Sequence, residues 1–422
     1  MPQLVIIADD LTGAADTGAC FGSVGFATVI ALSGGMIPDA DVVVLSTESR
    51  DMSATDAAHS VSEAVARLDA GRGSTSEGSS TSDCVWIYKK MDSALRGHPR
   101  DELLAAMEAI GATRALVAPA FPAEGRTTVG GRQHIDGVPL ELSQMRGPDT
   151  TSNLVALFET DDGPPVRLLD LATLRGKPEA LRRLLYDSHG IVVADAETDD
   201  DLMRLAGAAD GVQLPLFCGT AGLARQLARS LPLTQNAHPH PKAVRRSGPV
   251  LIVAGSRHEA TARQIEVLRE SGVPIVRLGQ SLIDDPEMGV DGTVAQVATH
   301  LAAGRSMVLT TLGLAPCAGG AHVVAARLAQ IVAAPEVSSQ VGGLVLTGGD
   351  VAAAVSKVLG ATALWLSGEI SSGIPWGRLE GGSLQGSPVV TKAGSFGDDN
   401  AFLSCIDHLT SEAAAPSARP GS

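Results

Sequence analysis

The sequence predicts an α/β protein of two domains, each a largely parallel sheet flanked by helices, with a ligand cleft between them. Three observations predict it. Short apolar runs alternate with helical patterns along nearly the whole chain, which is how βα units on a parallel sheet read. At 422 residues the chain exceeds what one core comfortably serves. A proline-rich stretch without periodicity, PLTQNAHPHPKAVRRSGP from Pro232 to Pro249, separates two such alternations.

The elements follow in order. LVIIADD leads into a helix near Ala14, and DVVVLSTESR, ending at Arg50, leads into DAAHSVSEAVARL, whose apolar spacing suits a helix. GRGSTSEGSSTSD, Gly71 to Asp83, is low-complexity and reads as a mobile surface loop. CVWIYKK is the next strand and DELLAAMEAI its helix; RALVAPAF, GIVVADA and LPLFCGT add strands. After the break come VLIVAGS, SMVLTTL, GGLVLTGG, ATALWLSGE and PVVTKAGSFG. The expected division is residues 1–231, a linker over 232–249 with a solvated His238 and His240, a second domain over 250–410, and a disordered tail over 411–422.

Composition excludes some partners. The formal net charge of −15 argues against nucleic acid, although a local cationic pocket can still take an anionic ligand. No apolar stretch is long enough to cross a bilayer, and the expectation is no membrane and a cytoplasmic setting. Cys20, Cys84, Cys218, Cys317 and Cys405 form no CxxC pair and read as reduced, packed thiols.

In open α/β sheets ligands bind beyond the carboxyl ends of the strands. In the first half those ends carry Asp9, Asp10, Arg50, Lys89, Lys90, Asp92, Ser93 and Arg96. Asp9 and Asp10 can accept hydrogen bonds, or a proton, from a hydroxylated ligand; one of the pair is expected to cap the following helix. Extended residues alternate faces, so only one of Lys89 and Lys90, taken as Lys90, is expected inside, with the other solvated. Arg50 and Arg96 are candidate carboxylate clamps. Asp16 reads equally as a solvated helix residue or a functional one. In the second half the junctions AGS at Ala254–Ser256, TGGD at Thr347–Asp350 and AGSFG at Ala393–Gly397 present glycine and backbone N–H groups, a form that suits phosphate. Neither GxGxxG nor GxxxxGK[ST] occurs there. PAFPAEGRTTVGGRQHIDGVPL, with Arg126 and Arg132, reads as a loop with a hairpin-like end, and GEISSGIPWGRLEGG, with Glu369, as a glycine-rich loop.

Six ordered motifs, IADDLTGAADTG, KKMDSALRGH, APAFPAEGRTTVGG, TGGDVAAAV, GEISSGIPWG and VTKAGSFGDDNAF, resemble the four-carbon acid sugar kinase family over nearly the whole chain. The resemblance implies an ATP-dependent kinase that phosphorylates the C4 hydroxyl of threonate, erythronate or 3-oxo-tetronate. It implies an amino-terminal domain for the sugar acid and a carboxyl-terminal domain for ATP, with Mg²⁺ bridging the phosphates. Carried over by motif, the acid contacts Asp9 or Asp10, Arg50, Lys90, Met91, Asp92 and Ser93. The nucleotide contacts Ser256, Gly348, Gly349, Asp350, Val351, Ala352 and Gly394. Asp9, Asp10 and Asp92 all stand as general-base candidates; metal ligands are not assigned. The chain departs from the family pattern at Ala94 and Val351, where the family usually has a hydroxyl residue. A homodimer is the default assembly. The competing readings are a two-lobed sugar-acid sensor and an aspartate-dependent phosphatase, the latter wanting an Asp-x-Asp spacing that Asp9-Asp10-Leu11 lacks.

Overall fold

The computed structural model describes residues 2–32, 37–70, 85–147, 151–209, 216–238, 248–285, 287–315 and 320–414. The chain falls into two units, Met1–Thr28 with Met36–His238, and Val29–Gly35 with Pro239–Ser422.

Chain order runs β1 (Leu4–Ala8), α1 (Leu11–Gly22), β2 (Thr28–Ala31), β3 (Val42–Ser46), α2 (Ala54–Ala70), β4 (Trp86–Lys90), α3 (Pro99–Ala109), β5 (Arg114–Ala118), β6 (Arg126–Val129), β7 (Arg132–Ile135), β8 (Val138–Pro139), α4 (Leu154–Phe158), β9 (Val166–Leu169), α5 (Leu171–Leu174), α6 (Pro178–Asp187), β10 (Gly190–Ala194), α7 (Asp199–Ala209), β11 (Leu216–Gly219) and α8 (Ala221–Ser230). The first unit's sheet has the order β3-β1-β4-β11-β5-β10-β9, with every neighbour pair parallel. β1 is buried along its whole length, because helices cover both faces of a parallel sheet. From β1 the chain pairs β3 on one side and β4 on the other, so the strand order reverses direction at β1. That is a topological switch point, where the ends of neighbouring strands leave room for a ligand. β6, β7 and β8 form a separate antiparallel sheet: PAFPAEGRTTVGGRQHIDGVPL opens with a 3-10 turn at Pro122–Glu124, and its hairpin-like end is a three-stranded meander.

The second unit continues with β12 (Val250–Ala254), α9 (Glu259–Glu270), β13 (Ile275–Arg277), α10 (Ser281–Asp284), α11 (Asp291–Ala302), β14 (Met307–Thr310), α12 (Gly320–Ala333), α13 (Pro335–Ser338), β15 (Gly343–Thr347), α14 (Gly349–Val358), β16 (Ala363–Ser371), β17 (Ile374–Glu380), β18 (Pro388–Lys392) and α15 (Ala401–Ala414). Its strand order is β13-β14-β12-β15-β18-β17-β16, with β2 beside β16. β13, β14, β12, β15 and β18 are parallel. β17 runs antiparallel to both β16 and β18. Ile252, Val308, Val345, Val390, Ile265, Leu268 and Phe402 share its core.

Two expectations need correction here. GEISSGIPWGRLEGG is not a loop but the β16–β17 hairpin, turned at Ser372-Gly373, where Gly373 takes φ 67° and Glu369 Oε1 accepts its N–H at 2.8 Å. Glu369 is therefore a half-buried strand residue tied to its own turn. His238 is not solvated: it lies 3.0 Å from Asp41 Oδ1, while Asn236 Nδ2 donates to the same oxygen at 2.8 Å and Thr234 N to Gln3 Oε1 at 2.7 Å. Asn236 and His238 are held to the first unit by Asp41, a buried carboxylate. His240, the 71–83 loop and the tail beyond Ala414 lie outside the described residues. Among the described residues no helix is long and apolar enough to cross a membrane.

Candidate functional site

The acidic strand end resolves into two carboxylates with different duties. Asp10 is the N-cap of α1: its Oδ1 accepts from Gly13 N at 2.8 Å and its Oδ2 from Thr12 Oγ1 at 2.6 Å. Arg50, just past β3, donates Nη1 to Asp10 Oδ2 at 2.7 Å and Nε to Asp9 Oδ2 at 2.8 Å. Its Nη2 stands 3.6 Å from Asp92 Oδ2. One guanidinium thus gathers three carboxylates from the ends of adjacent strands. The other oxygen of Asp9, Oδ1, is buried and accepts no hydrogen bond. Burial alone would raise the Asp9 carboxyl, but the charges of Arg50, Lys90 and Lys89 outweigh it and hold it below the usual carboxylate range. The group is an ionised, dry acceptor with one side free.

Asp92 begins a turn in which Leu95 N donates to Asp92 O at 2.9 Å and Ala94 N to Asp92 Oδ1 at 2.9 Å. Arg96 clamps the same carboxylate through Nε at 3.0 Å and Nη2 at 2.6 Å. Burial would raise Asp92, but Arg96 and Arg50 drive it far below the ordinary range. Leu95 sits at φ 57°, a left-handed conformation that costs a non-glycine L-residue about 1 kcal/mol or more. Its packing with Ala94 against Ile135 and Leu140 holds it there. That apolar contact accounts for Ala94, where the family resemblance anticipates a hydroxyl. Gln133 Nε2, from β7, donates to Ser93 O at 2.9 Å, so the meander fixes the turn from above. Met91 N donates to Gly219 O at 2.8 Å. Arg126 is half tied to Glu124 O and lies 3.5 Å from Met145 Sδ, and Arg132 pairs with Glu141 at 3.7 Å.

Both lysines of β4 are buried, against the expectation that one would be solvated. The strand is interior to a parallel sheet, so each face of it meets a helix layer. Lys89, 1% exposed, donates to Glu102 Oε2 of α3 at 2.9 Å and to Lys90 O at 2.7 Å. Ser49 donates to the other Glu102 oxygen. Lys90 lies on the opposite face, beside α1, and donates to Met91 O at 2.8 Å. A Cβ on Gly13 would come within 2.9 Å of Lys90 Nζ and 2.7 Å of Asp10 Oδ1, so glycine is what lets the helix start approach both groups. Asp16 is likewise buried rather than solvated. The thiols of Cys20, Cys218 and Cys405 are free and buried, and burial pushes Cys218 and Cys405 up to about 12. Cys84 and Cys317 lie outside the described residues.

In the second unit the three glycine turns are neighbours. Ala254 pairs with Thr347, and Thr347 with Lys392, so β12, β15 and β18 end in one row. Gly348, at φ 101°, breaks the strand and starts α14, and its N–H donates to Lys392 O at 3.0 Å. A Cβ on Gly394 would overlap Ser256 Oγ, and one on Gly255 would overlap Val351 Cγ2. Val351 is thus buried packing over the first turn. Among the described residues, the N–H groups of Ser256, Gly349, Val351, Gly394 and Ser395 have no acceptor in the chain. Amides grouped at strand ends and a helix start have the form that suits an anion. No group of three His, Cys, Asp or Glu residues able to hold a metal occurs among the described residues.

Comparisons with known proteins decide the family. Residues 4–227 match a sugar-binding N-terminal domain and residues 251–402 a nucleotide-binding C-terminal domain. The chain is 32% identical to a D-threonate kinase of Salmonella typhimurium, over 96% of this chain and 98% of that one. The chain belongs to the four-carbon acid sugar kinase family. Within the family it is also 31% identical to a D-erythronate kinase of Heliobacterium modesticaldum, covering 97% of both chains. It is 30% identical to a 3-oxo-tetronate kinase of Methylobacterium radiotolerans, covering 96% and 98%. A crystal structure from Salmonella typhimurium LT2 superposes with a TM-score of 0.78 at 23% identity, covering 96% of this chain and 99% of that one, and so shares the fold.

Proposed function

We propose that the chain is an ATP-dependent kinase that transfers a phosphoryl group to the terminal C4 hydroxyl of a four-carbon sugar acid, with threonate, erythronate and 3-oxo-tetronate as the candidate acceptors. The observation that carries the reading is the free, ionised Oδ1 of Asp9, buried at the switch point of the first unit's sheet. In this reading Asp9 accepts the hydrogen bond of the reacting hydroxyl and takes its proton late. Phosphoryl transfer passes through a loose transition state, so orientation matters more than a strong base. Asp10 is occupied by the cap of α1, and both Asp92 oxygens by Arg96, which leaves Asp9 as the base of choice. Lys90 uses one donor on Met91 O and keeps two for the substrate carboxylate. Arg50 holds Asp9 and Asp10 and stands close to Asp92, and Ser93 and Met91 line the turn beside them.

In this reading ATP is the phosphoryl donor, and a bound Mg²⁺ would neutralise charge on its phosphates. The free amides at Ser256, Gly349, Val351 and Gly394, with glycine contacts too close for a Cβ, fit a polyphosphate. Gly348, Asp350 and Ala352 complete the wall of that cradle. The protein is proposed to act in the cytoplasm as a homodimer, which light scattering checks. The activity test is ADP release with Mg²⁺-ATP and a panel of D-threonate, D-erythronate and 3-oxo-tetronates, with ³¹P–¹³C NMR of the product. Phosphate at C4 of one acid is expected. Absence of ADP with every four-carbon acid, or phosphate released to water, would overturn the proposal.

A further inference from the structure

Lys392 is fully buried at the end of β18, and its surroundings are those of a bound cation. Nζ donates to the carbonyls of Ala393 at 3.0 Å, Gly394 at 3.4 Å and Phe396 at 2.9 Å. The face of Phe402 lies below it, 5.4 Å from the ring centroid. Two neutral donors complete the inner lining. Gln264 Nε2 reaches the carbonyls of Phe396, Gly397 and Asp398 at 3.0, 3.1 and 2.9 Å, and Thr261 Oγ1 reaches Gly394 O at 2.8 Å. The carbonyls of the AGSFG turn therefore point inward.

A trans peptide is planar, with its N–H opposed to its C=O. Turning the Ala393 and Gly394 carbonyls onto the ammonium therefore turns the N–H groups of Gly394 and Ser395 outward, and these are two of the amides without an acceptor. The ammonium also polarises those peptides, which strengthens their outward donors. We infer that Lys392 is a built-in monovalent cation that organises the AGSFG turn as an anion-binding nest, a positioning residue for the nucleotide phosphates. The inference rests on the reading that this turn receives a nucleotide.

The test replaces the charge and then returns it as a small ion. ADP binding is measured by calorimetry for the full chain, for Lys392→Met and for Gln264→Met, each in tetramethylammonium chloride and again with ammonium or methylammonium chloride. The expected result is ADP affinity about tenfold or more weaker in Lys392→Met, recovered in part by ammonium or methylammonium and not by the bulky ion. Gln264→Met, which leaves the ammonium on its carbonyls, should lose only a few-fold. Lys392→Met that binds ADP as the unaltered chain does overturns the inference, as does equal weakness in every salt. If Lys392→Met folds only when a small cation is present, the inference stands; if it stays unfolded in every salt, lysine is a packing residue and the inference falls. An unaltered chain that binds no ADP refutes instead the nucleotide reading on which it rests.

Discussion

Removing the Glu102 carboxylate should destabilise the first unit more than any surface change. Lys89 and Glu102 are 1% and 2% exposed and 2.9 Å apart. Burial pulls the Lys89 ammonium down, but Glu102 and Asp9 outweigh it and hold it above the usual lysine range, so it stays charged at every ordinary pH. Glu102→Ala leaves that charge with Lys90 O as its remaining hydrogen-bond partner among the described contacts. Breaking a buried pair from one side costs about 3–5 kcal/mol. Stranding Ser49 Oγ, which donates to the same carboxylate, adds roughly 1 kcal/mol. With a urea slope of about 2 kcal/mol per molar, the midpoint should fall by roughly 2 M or more. The double variant Lys89→Met with Glu102→Leu removes both charges at similar volume and should lie within about 1.5 kcal/mol of the parent. Urea unfolding followed by far-ultraviolet circular dichroism reads all of these. If Glu102→Ala lies within about 1 kcal/mol of the parent, or the double variant is as weak as two singles added, the buried-charge argument is wrong.

Other consequences follow from single contacts. Asp9→Asn should lower kcat by about a hundredfold or more while changing the KM for the acid only a few-fold; a kcat within fivefold of the parent would remove Asp9 as base. Gly394→Ala places a methyl on Ser256 Oγ and should raise the KM for ATP with little effect on that for the acid, which initial-rate kinetics in both substrates resolves. Gly13→Ala crowds Lys90 Nζ at 2.9 Å and should reduce acid affinity more than nucleotide affinity; equal loss of both would contradict the placement of Lys90. Asp201, hydrogen-bonded by Arg175, titrates at about 2 instead of 3.8. A depressed carboxyl stabilises above its unfolded value, and that stability drains away as pH falls from about 4 toward 2. Asp201→Asn should flatten that acid limb of the unfolding profile, and an unchanged limb would assign it elsewhere.

Much of this protein is legible in its sequence because strands buried on both faces cannot hide. LVIIA, GLVLT and VLIVA stand out as apolar runs cut short by Asp or Gly, and the proposed site residues lie where they stop. That Asp10 or its neighbour would cap a helix follows from local backbone geometry. What local pattern could not settle is partnership. Alternation placed one β4 lysine in water, yet the layer behind the sheet supplies Glu102, thirteen positions on, to keep Lys89 dry. The short strand β2 is not among the runs read from the sequence; Leu32 N meets Thr362 O at 3.0 Å, and the segment from Val29 on joins the second unit. The glycine turns are visible by composition; that the Ala393, Gly394 and Phe396 carbonyls turn inward onto Lys392, and those of Phe396, Gly397 and Asp398 onto Gln264, is a contact that the composition of the turn does not specify. Periodicity encodes which face is buried. The donor or charge waiting on that face is fixed only when distant segments pack.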